Sequence, residues 1–380
     1  MSRIGVDGRE LVPGTRTGIG RFLREVLRAG TACEDVELVV YAGEGRPIER
    51  LDPRVAVRVL GHRPTPWWDQ VTLPRQLARD RIAVFLSPYY KGPLLAPCPI
   101  VLTVHDLFFI RYPARSRPGY EAAMTRLARL YARRATAIIT DSEYSKRSIV
   151  ARLGVPAEKI TVIPVALGGE FEPTPLTDAV RRRYRISGPY LFYVGNFKPH
   201  KNLPRLLRAY AGLPEALRAD HQLVLAGGDG TAARPLADLA RALGVADRVG
   251  LPGFIDDADL PALYTGCELF VLPSLVEGFG LPALEAMACG TPVAAANRGA
   301  IPEVAGAAAI LFEPEDVAGI TAAMAGVLSD PAIREDMRRR GLARAREFPP
   351  ERTAGRVLTL LRQLSRSPGR DAQSPAHFSL

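Results

Sequence analysis

A chain of 380 residues is too long for one ordinary core and divides naturally into two domains of about 150 to 200 residues. With 47% hydrophobic and 24% charged residues it is no disordered chain, and no apolar run reaches the roughly 20 residues of a bilayer span. The net charge of +10 belongs to the first half: residues 1–168 hold 26 Lys and Arg against 16 Asp and Glu, while the remainder balances at 24 and 24. That asymmetry suits an acidic partner (nucleic acid, anionic lipid or a phosphorylated substrate), or equally a well-solvated arginine-rich surface.

The opening "MSRIGVDGREL" reads as a strand and not as a signal peptide, so a cytoplasmic protein is expected. Along the first half, the runs "RIGV", "VELVVYA", "IAVFLSP", "PIVLTVHD", "ATAIITDS" and "ITVIPV" alternate with helix-spaced segments. This is the pattern of a parallel sheet covered on both faces. The first loop, "PGTRTGIGRFLREV", puts Gly18 and Gly20 at a helix start, suited to a close approach of phosphate or sugar or to a plain tight turn. "VLTVHDLFF" ends a strand at His105 and Asp106. His105 can contact a reacting sugar or acceptor hydroxyl with Asp106 orienting its ring, or it can be a satisfied structural histidine. "YEAAMTRLARLYARRA" predicts a helix with Met124, Leu127, Leu130 and Tyr131 along one side, within a basic stretch from Arg111 to Arg152. Its apolar stripe either packs on the sheet or approaches anionic lipid.

The pattern then restarts. "PYLFYVG", "HQLVLAGG", "RVGLPGF", "ELFVLPS", "TPVAAA" and "AAILF" again alternate with helices, so two doubly wound domains in tandem are expected. The expected bounds are 1–168, 169–348, a helix over 349–365 packing back on the first domain through Val357, Leu360, Leu361 and Leu364, and a disordered tail over 366–380. In "YVGNFKPHKN" a strand ends at Val194, a turn at Gly195 and Asn196 follows, and Lys198 and Lys201 precede a helix, where a lysine can meet a phosphate. In "LPSLVEGFGLPALEAMACGTPVAAA" the backbone N–H groups of Gly278, Phe279, Gly280 and Leu281 lie at a helix start, which favours an anion such as a diphosphate. Glu277 before the turn and Glu285 inside the helix can accept hydrogen bonds from sugar hydroxyls, or be a helix-start glutamate and a solvated one. Asp257 and Asp259 precede "LPALYTG" and read as a helix cap, not as a metal-binding D-x-D. The four cysteines, Cys33, Cys98, Cys267 and Cys289, form no metal or disulfide pattern and read as reduced core thiols.

In family order, "TGIGRF", "WWDQ", "TVHDLFF", "DSEYSK", "YVGNFKPHKN" and "PSLVEGFGLPALEAMACGTPV" resemble the retaining glycosyltransferases of the GT-B fold, family 4. The resemblance implies two Rossmann-like domains facing across a cleft, the first binding acceptor and the second binding a nucleotide-sugar. It implies that Glu285 binds the ribose, that Glu277 and the backbone from Gly278 to Leu281 hold the donor sugar and phosphates, and that Lys201 is the phosphate lysine. His105 would be the active-site histidine, Gly253 and Phe254 would lie on the base-contacting loop, and Gly18 and Gly20 would also approach the donor. Many relatives carry arginine where this chain has Asn196, so Lys201, helped by Lys198, would bear more of the diphosphate. The "GN.KPHKN" form is similar to a subgroup tied to mannose or related transfers, which favours a GDP-sugar over a UDP-sugar. Val165 and Ala166 stand where relatives commonly have "NG" or "PG" before the inter-domain segment.

The same resemblance implies hexosyl transfer with retention to a glycan, lipid-linked or small-molecule acceptor; as no third carboxylate is placed as a covalent nucleophile, a front-face mechanism needing no metal or cofactor is expected, and the basic stretch from Arg111 to Arg152 suggests peripheral contact with anionic membrane. Three other readings stand beside it. A GT-B nucleotide-sugar 2-epimerase would need no acceptor. An NAD-dependent dehydrogenase would use "GDGTAA" at Gly228, although its candidate acid, Asp247, precedes a strand where a ribose ligand would end one. A basic scaffold would bind membrane or nucleic acid, yet no nucleic-acid module is recognisable.

Overall fold

The structure is a computed structural model describing residues 1–13, 18–45, 48–61, 64–111, 119–228 and 230–366. The chain separates into two compact units. The first comprises Met1–Asp141, Lys146–Pro164 and the segment from Pro350; the second comprises Ser142–Ser145 and Val165–Pro349.

The first unit is built on seven strands, β1 (Ser2–Asp7), β2 (Val36–Gly43), β3 (Ala56–Leu60), β4 (Val84–Ser87), β5 (Ile100–Thr103), β6 (Ala137–Thr140) and β7 (Ile160–Val162). They lie in the order β3-β2-β1-β4-β5-β6-β7, each pair parallel. The runs "VFLS", "IVLT" and "AIIT" are buried at every position, because helices cover both faces of a parallel sheet. Side-chain alternation feeds two cores: Leu38 and Val40 join Ile4 and Val6 on one face, while Val39 and Tyr41 join Phe85 on the other. The edge strand β3, "AVRVL", carries Arg58 and the exposed Val59, so it lacks the continuous apolar run that marks its neighbours and is absent from the expected strands.

The helix Pro350–Arg366 belongs to the first unit, where Val357, Leu358 and Leu361 enter the core beside Ile4, Val6 and Phe22. Leu360 and Leu364 are partly buried against it. Of the tail expected from residue 366, Arg366 closes this helix and the rest lies outside the described residues.

The helix Tyr120–Arg134 divides its expected apolar side in two. Met124 and Tyr131 pack on the core with buried Ala128 and Ala132, whereas Leu127 and Leu130 are 38% and 43% exposed among Arg126, Arg133 and Arg134. Among the described residues no helix is long and apolar enough to cross a membrane.

The second unit has six parallel strands, β8 (Tyr190–Val194), β9 (Gln222–Ala226), β10 (Val249–Gly253), β11 (Leu269–Leu272), β12 (Val293–Ala296) and β13 (Ala309–Phe312), in the order β10-β9-β8-β11-β12-β13. In each sheet the strand order reverses at one place, between β1 and β4 and between β8 and β11. Loops leaving the carboxyl ends of strands diverge there and open a crevice.

Cys267 and Cys289 are buried and Cys33 and Cys98 partly so, all four as free thiols. Burial pushes the Cys98 thiol up to about 12, and burial with the nearby Glu285 charge does the same for Cys289, which keeps both protonated and inert.

Candidate active site

At the β8/β11 reversal two loops are stitched together. After β8 the chain turns at Gly195 and Asn196, makes one short turn over Pro199–Lys201, and reaches Asn202 in a left-handed conformation. The Asn202 amide donates to the carbonyls of Pro273 (3.0 Å) and Pro314 (2.7 Å), and Leu275 N–H donates to the His200 carbonyl (2.8 Å). The loop after β8 is thereby fixed to the loop after β11, and Lys201 Nζ comes to 2.6 Å from Glu277 Oε1. Ser274 Oγ donates to the same carboxylate oxygen at 2.6 Å.

Glu277 is held through its backbone as well. Its carbonyl accepts from Ala300 N–H (3.1 Å), and a Cβ on Gly299 would lie 2.6 Å from that carbonyl oxygen, so only glycine lets the two segments meet. The chain then runs through Gly278 and Phe279 to Gly280, whose left-handed φ of +94° starts the helix Leu281–Ala288. No side chain caps this start, so its first-turn N–H donors, Pro282 contributing none, form a positive helix end beside Glu277 and Lys201. One turn in, Glu285 is 4% exposed and its Oε2 accepts from Tyr264 OH at 3.0 Å.

The burial of both glutamates overturns the solvated alternative. A buried carboxylate is costly unless partnered, and Glu277, 8% exposed, meets a cation and a hydroxyl. Asn196 and Lys198 lie on the exposed side of the same turn, with Lys198 N–H donating to Asn196 Oδ1 (3.3 Å). Burial, then the Lys201 charge, lowers the pKa of His200, which keeps this ring neutral. Gly253 ends β10, its carbonyl accepting from Gly227 N–H (2.7 Å), and Phe254 beside it is 81% exposed.

In the first unit His105 follows β5. Its Nδ1 lies 2.8 Å from Asp141 Oδ2 at the end of the neighbouring β6, and the Phe22 ring of the helix Gly18–Thr31 meets it edge-on at 6.1 Å. The helix begun by Gly18 and Gly20 therefore packs against the histidine. Asp106 is not its hydrogen-bonding carboxylate: Asp106 Oδ1 accepts from Phe108 N–H (2.9 Å) in a local turn, and Asp141 orients the ring. Burial disfavours the imidazolium, but the charge and hydrogen bond of Asp141, with the charge of Asp106, outweigh it and raise the His105 pKa.

At the β1/β4 reversal, Arg9 binds Asp7 (2.5 Å) and Asp69 (2.9 Å) and stacks on Trp68 (4.0 Å), while Lys91 binds Asp69 (3.2 Å). This buried network, carried partly by the "WWDQ" segment, ties the loops after β1 and β4 to a π-helical turn over Trp68–Thr72.

The cap expected from Asp257 and Asp259 is not made by the Asp259 side chain. Asp259 occupies the N-cap position of the helix Leu260–Gly266 without making a side-chain cap bond; its carboxylate accepts from Arg183 (2.5 Å) and Tyr184 (2.8 Å). Among the described residues no group of three or more His, Cys, Asp or Glu could hold a metal ion. Ser274, Tyr264, Asn202 and Asp141 are the residues that local motif reading misses. Asp141 carries one usable signal, since it ends the strand next to the one ending at His105.

Comparison with known proteins finds a family model over each half of the chain. Residues 16–167 match Glycosyltransferase Family 4, and residues 179–344 match Glycosyl transferases group 1. The O-antigen chain mannosyltransferase B of Escherichia coli is 34% identical over 251 residues, 65% of this chain and 66% of that protein. The 2-deoxystreptamine glucosyltransferase of Streptomyces kanamyceticus is 30% identical over 278 residues, 69% of this chain and 71% of that one. The chain spans just under two thirds of the E. coli mannosyltransferase and about a third (32%) of the longer serotype-specific mannosyltransferase WbdA. Among solved structures, the sucrose-phosphate synthase of Thermosynechococcus elongatus superposes with a TM-score of 0.76 at 22% identity, covering 96% of this chain and 99% of that one, and so shares its GT-B fold.

Proposed function

The chain belongs to the group 1, family 4 glycosyltransferases, and on that premise we propose that it transfers a hexose, mannose or a close relative, from a nucleoside-diphosphate sugar to a glycan hydroxyl with retention. The observation that carries this is the buried contact of Lys201 with Glu277 at 2.6 Å beside the uncapped start of the helix Leu281–Ala288. A diphosphate has two partners there, the lysine charge and the helix-start N–H groups. The E. coli relatives are mannosyltransferases by name, which supports mannose, and the "GN.KPHKN" segment supports a GDP-sugar.

Each side chain has a part. Glu285 accepts the ribose hydroxyls, Glu277 holds hydroxyls of the donor sugar, and Lys201, with Lys198 nearby, stabilises negative charge on the departing diphosphate. The bond from the anomeric carbon to the phosphate oxygen breaks as the acceptor oxygen bonds on the same face, and the acceptor proton passes to the departing phosphate oxygen. His105, with Nδ1 committed to Asp141, is assigned to the acceptor side through Nε2. No side chain then acts as a covalent nucleophile, and catalysis rests on positioning and leaving-group stabilisation. The acceptor is a lipid-linked glycan at the cytoplasmic face of a membrane, approached by the helix Tyr120–Arg134.

Calorimetric titration with GDP and UDP tests the donor assignment. One nucleotide should bind, and Glu285→Ala should weaken it roughly 10- to 100-fold, the loss of hydrogen bonds to a charged group. Unchanged binding in a folded Glu285→Ala variant would contradict it.

A further inference from the structure

Resting on the reading of Glu285 as the ribose carboxylate, we infer that Tyr264 is a positioning residue for donor binding: its phenol sets the Glu285 carboxylate to receive the paired ribose hydroxyls. The geometry behind this is a two-point clamp. Tyr264 lies in the helix Leu260–Gly266, and its OH donates to Glu285 Oε2 at 3.0 Å, in the middle of the helix Leu281–Ala288. Its carbonyl accepts from Thr291 Oγ1 at 2.6 Å, just past the end of that helix, and Thr291 N–H donates back to the Ala286 carbonyl at 2.9 Å. One residue therefore grips the Glu285 helix at its side chain and at its C-terminal turn.

The ring cannot swing away. It is fully buried and meets Phe270, Phe192 and Phe171 in edge-on contacts at 5.3, 5.5 and 6.1 Å. The buried Tyr190 and Tyr210 of this unit satisfy their hydroxyls on the backbone carbonyls of Leu263 and His221, whereas Tyr264, like Tyr184 on Asp259, is aimed at a carboxylate. Ser274 does the same for Glu277 at 2.6 Å, so each glutamate receives one hydroxyl from a buried neighbour. A carboxylate that must accept two hydroxyls at once gains from having its torsion fixed beforehand, since an unfixed one loses that freedom on binding.

The test compares GDP with 2′,3′-dideoxy-GDP, or the UDP pair if UDP is the tighter ligand, by calorimetry on the full chain. Tyr264→Phe keeps the ring and its aromatic contacts. It should weaken the ribonucleotide roughly 5- to 20-fold, the loss of one hydrogen bond to a charged group, and leave the dideoxy analogue within about twofold. Equal losses for both nucleotides, or no loss, would overturn the inference. Glu285→Ala separates the two levels: if it leaves the ribo-to-dideoxy ratio unchanged, the ribose assignment itself fails and the inference fails with it. If Glu285→Ala collapses the ratio and Tyr264→Phe does not, only the inference fails. The double variant should bind like Glu285→Ala alone, because Tyr264 acts through that carboxylate; an additive loss contradicts this.

Discussion

Lys201 and Ser274 converge on a single oxygen of Glu277, which fixes the carboxylate's rotation and neutralises part of its charge before any ligand arrives. His105 is set up comparably by Asp141 in the first unit. Because its pKa is raised in the fold, the stabilisation from this pair is full below the unfolded value of about 6.5 and is lost as pH rises through the higher folded value. Asp141→Asn removes the attracting charge and leaves the burial. NMR titration of the His105 ring should then give a lower pKa than in the wild type, and the loss of stability on raising pH should flatten. An unshifted His105 would show that Asp141 does not control it.

At the scale of elements, the helix Tyr120–Arg134 carries its own prediction. Leu127 and Leu130 face outward among three exposed arginines while Met124 and Tyr131 serve the core. In vesicle sedimentation the protein should bind anionic bilayers more than neutral ones, and Leu127→Ser with Leu130→Ser should reduce that binding severalfold without loss of fold. Equal binding to both vesicle types would remove the membrane from the account. Among the described residues twelve of the thirteen strands are legible as apolar runs, clearest where a strand such as β4, β5 or β6 is buried throughout, and β3 escapes because an edge strand mixes arginine with valine. The division of the Tyr120–Arg134 stripe is not legible, since helical spacing tells which residues share a side and not where the side ends. The same limit hides the burial of Glu285. Asp141 escapes for another reason: it meets His105 through the adjacency of β5 and β6, 36 residues apart.

At the scale of the molecule, the family assignment accounts for the two sheets of 7 and 6 parallel strands. The excess positive charge of the first half and the balance of the second match the roles proposed for them, an anionic acceptor surface and a donor site around Lys201. The measurement that tests the account most directly is the reaction itself: GDP-mannose and a mannosyl glycan acceptor, followed by nucleotide release and by NMR of the anomeric proton in the product. An α-linked product should form from the α-linked donor, with GDP released only when acceptor is present, and Glu277→Gln, which keeps the side-chain shape, should slow transfer roughly 100- to 1000-fold. An inverted product, release of nucleotide without acceptor, or full activity in Glu277→Gln would contradict it.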